Sequence, residues 1–118
     1  MKNYILLLAL SITLTGNPTQ SQLNIAKKYN SYFRQEIIVE VKDELSKECL
    51  GNFGCTWFKG KEPFKIEVAA KNPNGSVLYN FEHILLHEIF HYVLKSFNEQ
   101  RVDSAAYGLQ TYVNNQLF

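Results

Sequence analysis

The residues with the clearest chemical content stand together as His87-Glu88-Ile89-Phe90-His91. Two imidazoles four apart on a helix share one face, one turn above the other. They can reach a single metal ion at about 2.0–2.1 Å each. Glu88 follows His87 directly and is rotated from it by about a quarter turn, so it stands beside that face rather than on it. That position suits a general base for a metal-activated water, and zinc is the expected metal. From Ile84 to Leu94 the only acidic residue is Glu88, in a run of apolar, aromatic and histidine side chains. A carboxylate in the middle of such a helix is costly unless it is paired or functional. The competing reading is two core histidines and a partly exposed glutamate, with no metal.

The segment from Ile84 to Gly108 resembles the active-site region of the zincin metallopeptidases, whose motif is flanked by uncharged residues. Within them it is similar to the gluzincins. Their second helix carries an N-E-x-x-x-D signature, and this chain has Asn98-Glu99-Gln100-Arg101-Val102-Asp103. The resemblance to the thermolysin-like pattern implies that Glu99 is the third zinc ligand and that Asp103 hydrogen-bonds a ligand histidine. A ligating imidazole needs its other nitrogen fixed by an acceptor, so the implied roles have a physical basis. The connection after His91 is shorter here than in most gluzincins, but an antiparallel hairpin brings His91 and Glu99 to within roughly 5 Å in height. The alternative is that Asp103 ligates and Glu99 only starts the helix. Val102 to Gly108 loosely resembles the Asp-containing segment of the aspzincins, with the spacing off by one. The implied activity is peptide-bond hydrolysis on a peptide or protein substrate. The alternative is a non-catalytic zinc-binding module that acts through protein binding.

Three neighbours of the motif invite a role. His83 continues the series His83, His87, His91, yet eight residues of helix span about 12 Å, too far for one tetrahedral site. It reads as a packed or rim histidine. Tyr107 lies four beyond Asp103 and is taken as a core tyrosine; the other reading is a phenol that polarises a carbonyl. Trp57 and Phe58 are expected to close the sheet.

The elements that must position these residues follow from periodicity. Leu23, Ala26, Tyr29 and Phe33 recur at helical spacing, which predicts a first helix over 21–34. Ile37, Val39 and Val41 alternate and predict a strand over 36–42. A second strand is expected over 64–70, with a short one over 55–58. Asn72-Pro-Asn-Gly75 is a strong turn, and 76–79 reads as a returning strand or the approach to the next helix. Helices are predicted over 81–95 and 99–116, joined by Ser96-Phe97-Asn98 and therefore antiparallel. The expected fold class is α+β, a minimal zincin-like domain. Its order is an N-terminal helix, a small mixed or antiparallel sheet, the active-site helix and a second helix. A substrate strand is expected to add to Phe64–Ala70.

The chain has 118 residues, which suits one domain. With 46% hydrophobic residues and 14% aromatic, it can bury a core. The net charge of +1 offers no electrostatic footprint for nucleic acid. Residues 1–16 begin with Lys2, continue through an apolar run and end in small residues, which reads as a signal peptide with cleavage after Gly16. The run is too short for a stable membrane span. A buried strand or helix turn is the competing reading. Residues 17–118 then form the single domain, in a secreted or periplasmic protein. In such a compartment Cys49 and Cys55 are expected to be bonded to each other; otherwise they are small packed thiols. The sequence carries no information on the oligomeric state.

Overall fold

Ile37, Val39 and Val41 all turn to one side of their strand and are buried there. Their face, with Ile66 and Val68, is what the helices cover. The computed structural model describes residues 11–49, 52–71 and 80–116. It is a mixed α+β fold of a four-stranded sheet and three helices. The elements are β1 (Ile12–Gly16), α1 (Gln20–Tyr29), β2 (Ile37–Lys42), β3 (Gly54–Lys59), β4 (Glu62–Ala69), α2 (Phe81–Leu94) and α3 (Glu99–Asn115). Short 3-10 turns span Asn30–Tyr32 and Lys47–Cys49. The turn expected at Asn72–Gly75 and the strand expected at 76–79 lie outside the described residues, as do residues 1–10.

The sheet order is β1-β2-β4-β3. β1, β2 and β4 run parallel, and β3 closes one edge antiparallel to β4. The expected order, helix before sheet, is corrected by β1: α1 is the crossover between two parallel strands. Thr19 and Gln22 start α1 with a reciprocal capping box, at 2.9 Å and 3.1 Å. The helix stops at Tyr29, short of the expected Arg34, and passes into a 3-10 turn. Asn30 turns back to β1, where its side chain accepts from the Ile12 backbone at 3.1 Å. Ser11 and Ile12 are buried. A cut after Gly16 would therefore take an edge strand out of the sheet.

A second correction concerns the strand expected to receive a substrate. β4 lies between β2 and β3 and is paired on both sides, so nothing can add to it. The edge strands are β1 and β3, and β3 is the one next to β4. Trp57 pairs with Lys65 and Phe58 with Pro63, a register shift that leaves Phe64 without a partner. This takes Phe64 out of the apolar alternation and leaves it exposed. Strand alternation gives β3 two jobs: Gly54 and Thr56 face α2, while Cys55 and Trp57 face the other side. Cys49 and Cys55 are bonded, with Cα atoms 5.6 Å apart, and so tie the turn after β2 to β3. No described helix is long and apolar enough to cross a membrane.

Candidate metal centre

The apolar run of α2 buries Phe81, Leu85, Leu86 and Ile89 against the sheet. That burial fixes the opposite edge of the helix, where His83, His87 and His91 stack with ring centroids 6.1 Å and 4.8 Å apart. The helix ends at Lys95, which adopts the left-handed conformation with φ of 52°. This bend swings the Ser96 carbonyl back over the last turn, where it accepts from His91 Nδ1 at 2.6 Å. Asn98 then caps α3, its side chain accepting from the Arg101 backbone at 3.0 Å. α3 returns antiparallel to α2, so Glu99 meets His91 and Asp103 meets His87 and His83.

The partners decide which ring nitrogens are free. His91 Nδ1 faces a carbonyl, and His87 Nδ1 faces Asp103 Oδ1 at 3.1 Å. Both partners only accept, so each Nδ1 carries the hydrogen and each Nε2 carries a lone pair. The two Nε2 atoms lie 3.2 Å apart. Glu99 Oε1 is 2.9 Å from His91 Nε2 and 3.3 Å from His87 Nε2, and its Oε2 is 3.0 Å from His91 Nε2. Acceptors thus converge on one point with no donor among them, an arrangement that only a cation or an added proton satisfies. Two tetrahedral bonds of 2.0–2.1 Å put ligand nitrogens about 3.3 Å apart, so the spacing fits a metal ion. Two groups of His, Glu and Asp side chains around this point could hold an ion.

Two triads have ligand atoms within 4.8 Å of one another: His87 with Glu88 and His91, and His83 with His87 and Asp103. They use opposite nitrogens of the same ring. In the second, His87 Nδ1 is already bonded to Asp103, which also accepts from His83 Nε2 at 2.8 Å. In the first, Glu88 makes no hydrogen bond to either histidine among the described residues, and its Oε1 accepts from Thr56 Oγ1 at 2.8 Å. Glu99, although 67% exposed in its side chain, comes closer to both Nε2 atoms. Around the two Nε2 atoms the distances thus gather Glu99, with Asp103 behind His87 and Glu88 alongside.

Electrostatics separate the three carboxylates. Burial raises the Glu88 pKa above its ordinary value, and the Thr56 hydrogen bond and the two histidines offset this only in part. Burial also acts on Glu99, but hydrogen bonds from His87 and His91, each of which needs an added proton on Nε2, outweigh it and lower its pKa. Asp103 is lowered chiefly by its hydrogen bond with His83.

A cavity of about 550 Å³ opens over the centre, between β3 and the two helices, and Thr56, Phe58, Glu88 and Phe97 line it. Phe58, expected only to close the sheet, stacks on Phe97 at 4.4 Å in the wall of this cavity. Trp57 does face away, donating from Nε1 to Glu67 at 2.8 Å. Tyr107, taken as a core residue, is 57% exposed and lies against His83 at 4.1 Å. The sequence reading gave Thr56 and Ser96 no part in the site. A strand threonine facing a helix has no sequence mark, and Ser96 acts through its carbonyl, which every residue carries. No protein-family model, curated protein or solved structure matches the chain.

Proposed function

We propose that the chain is a zinc-dependent peptidase of the zincin type, with the gluzincin arrangement of ligands. His87, His91 and Glu99 would hold the metal, Asp103 would orient His87, and Glu88 would be the general base. The observation that carries this reading is the convergence of two lone-pair nitrogens and a carboxylate, 2.9–3.3 Å apart, beside a separate buried carboxylate. Zinc bound there supplies a lowered water pKa and a polarised scissile carbonyl. Glu88 takes a proton from the attacking water and returns it to the leaving amine. The substrate is a peptide in extended form, pairing with β3, the edge strand that borders the cavity. The Cys49–Cys55 bond supports a secreted or periplasmic location.

The test is Glu88→Gln, which keeps the shape and a hydrogen bond but cannot accept a proton. Zinc content stays near wild type, while hydrolysis of an unfolded protein substrate falls by about 10² or more, the scale of a lost general base. Equal cleavage by both proteins contradicts the assignment. If both hold zinc and neither cleaves any member of a broad peptide library, the chain is a zinc-binding module.

A further inference from the structure

The Glu88 carboxylate is held from the sheet rather than from its own helix. Gly54 and Thr56, two apart on β3, both face it. A Cβ built on Gly54 would stand 2.8 Å from Glu88 Cγ, 3.1 Å from Ile84 Cγ2 and 3.2 Å from Glu88 Oε2. Any larger residue must displace the side chain, so the absence of a Cβ makes the space in which Glu88 lies. Thr56 Oγ1 lies 2.8 Å from Glu88 Oε1 and 3.0 Å from the Glu88 carbonyl oxygen. One hydroxyl thus spans the carboxylate and the backbone of the same residue, fixing the side chain relative to the helix that carries His87 and His91.

We propose that Thr56 is the positioning residue of the general base, and that Gly54 provides the room in which it works. The inference rests on the reading of Glu88 as the base and adds to it how the base keeps its place through a proton transfer. A hydroxyl has one hydrogen to donate and lone pairs to accept. When Glu88 is a carboxylate, the Thr56 hydroxyl donates to Oε1. The proton that Glu88 exchanges with the water and the leaving amine belongs on the oxygen that Thr56 does not hold, so the Thr56 bond to Oε1 keeps the carboxylate aimed while that oxygen works. Thr56 gains and loses no proton in the exchange, and no heavy atom moves.

The experiment compares wild type with Thr56→Val and Thr56→Ser, all loaded with zinc. Three quantities are measured: zinc content, kcat and KM on an unfolded protein substrate, and the dissociation constant of acetohydroxamate. That probe chelates zinc and places an acidic hydroxyl where a neighbouring carboxylate can accept its proton, so it reports on Glu88 without turnover. Thr56→Val keeps its zinc and its KM, loses about 10–100-fold in kcat, and binds acetohydroxamate about 10-fold more weakly, the usual scale for losing an outer hydrogen bond. Thr56→Ser, which restores the hydroxyl, recovers most of both. Gly54→Ala, which fills the space but leaves the hydroxyl, shows the same two losses with zinc retained. Wild-type kcat and acetohydroxamate binding in Thr56→Val overturn the inference. So does a serine variant as impaired as the valine one, or loss of zinc in either. If wild type binds acetohydroxamate through zinc but cleaves nothing, the peptidase reading fails and the ranking of the variants still decides the role of Thr56. If no zinc binds, both fall together.

Discussion

Glu67 and Glu88 are the two buried glutamates of the described structure, at 0% and 8% exposure, and they lie on opposite faces of the sheet. β3 serves both through adjacent residues: Trp57 donates to Glu67 and Thr56 to Glu88. Their surroundings differ in the number of donors. Glu67 accepts from the Ser46 backbone at 3.2 Å, the Ser46 hydroxyl at 3.0 Å and Trp57, with Lys65 at 3.1 Å and Lys42 at 3.5 Å. Burial alone would raise its pKa, but the hydrogen bonds from Ser46 and Lys65 outweigh that and bring it to about 2. The cover is thin, since Lys42 and Lys65 remain 30% and 40% exposed in their side chains, yet it is complete. Glu88 has one hydroxyl, and its pKa goes up. Burial of a carboxylate therefore does not by itself set its charge state. The count of donors around it decides whether it is locked as an anion or left able to take a proton.

The sharpest way to break this comparison is to exchange the amide for each acid in turn. Glu88→Gln is expected to abolish activity and leave stability within about 0.5 kcal/mol, since the amide keeps a bond to Thr56 and removes a costly buried charge. Glu67→Gln is expected to do the reverse. It loses roughly 2–3 kcal/mol in urea denaturation, the scale of charge-assisted hydrogen bonds, and keeps its kcat at pH 7. A destabilised Glu88 variant, or an inactive but stable Glu67 variant, would show that the two sites are not separate.

The same comparison predicts a pH dependence. The Glu67 pKa is depressed on folding, so its contribution is present above the unfolded value of about 4.3 and is lost as pH falls from there toward about 2. Glu99 and Asp103 are shifted the same way and share this acid limb. The difference between wild type and Glu67→Gln isolates the one group. It is expected to be flat from pH 5 to 7 and to shrink below about 4. A difference that grows on acidification would contradict the depressed pKa.

The smallest expected effect concerns what keeps Glu67 covered. Cys55 is paired with Glu67 across the sheet, and its disulfide to Cys49 holds the turn that follows Ser46. Replacing both cysteines by serine is expected to cost about 2 kcal/mol, as for a short closed loop. Most of the loss should be shared with Glu67→Gln, so the combined variant is less destabilised than the sum of the two changes. Full additivity would separate the disulfide from the carboxylate.

How much of this was legible in the sequence differs between the two faces. His87, Glu88 and His91 carry their spacing openly, and the sequence reading brought Glu99 and Asp103 to the same place through Asn98 and the short joint. β2 was legible because Ile37, Val39 and Val41 alternate without interruption. The Glu67 cluster was not. Its donors come from Ser46, Trp57 and two lysines on three different segments, and sequence spacing does not bring such segments together. β1 stood open between a leader and a buried strand because Ile12 to Gly16 follows an apolar run, and composition alone does not separate the two. The interior place of β4 was hidden for a related reason: it depends on the path from β2 out to β3 and back, which leaves no mark in β4 itself.

The central claim is that the lone pairs of His87 and His91 meet at one metal ion. Metal content of the purified protein, after zinc loading and dialysis, tests it most directly when measured beside the His87→Ala, His91→Ala double variant. The expected result is about one zinc per chain in wild type and none in the variant, as for a site built on two imidazoles and a carboxylate. Zinc absent from wild type, or retained at one per chain by the double variant, would contradict it.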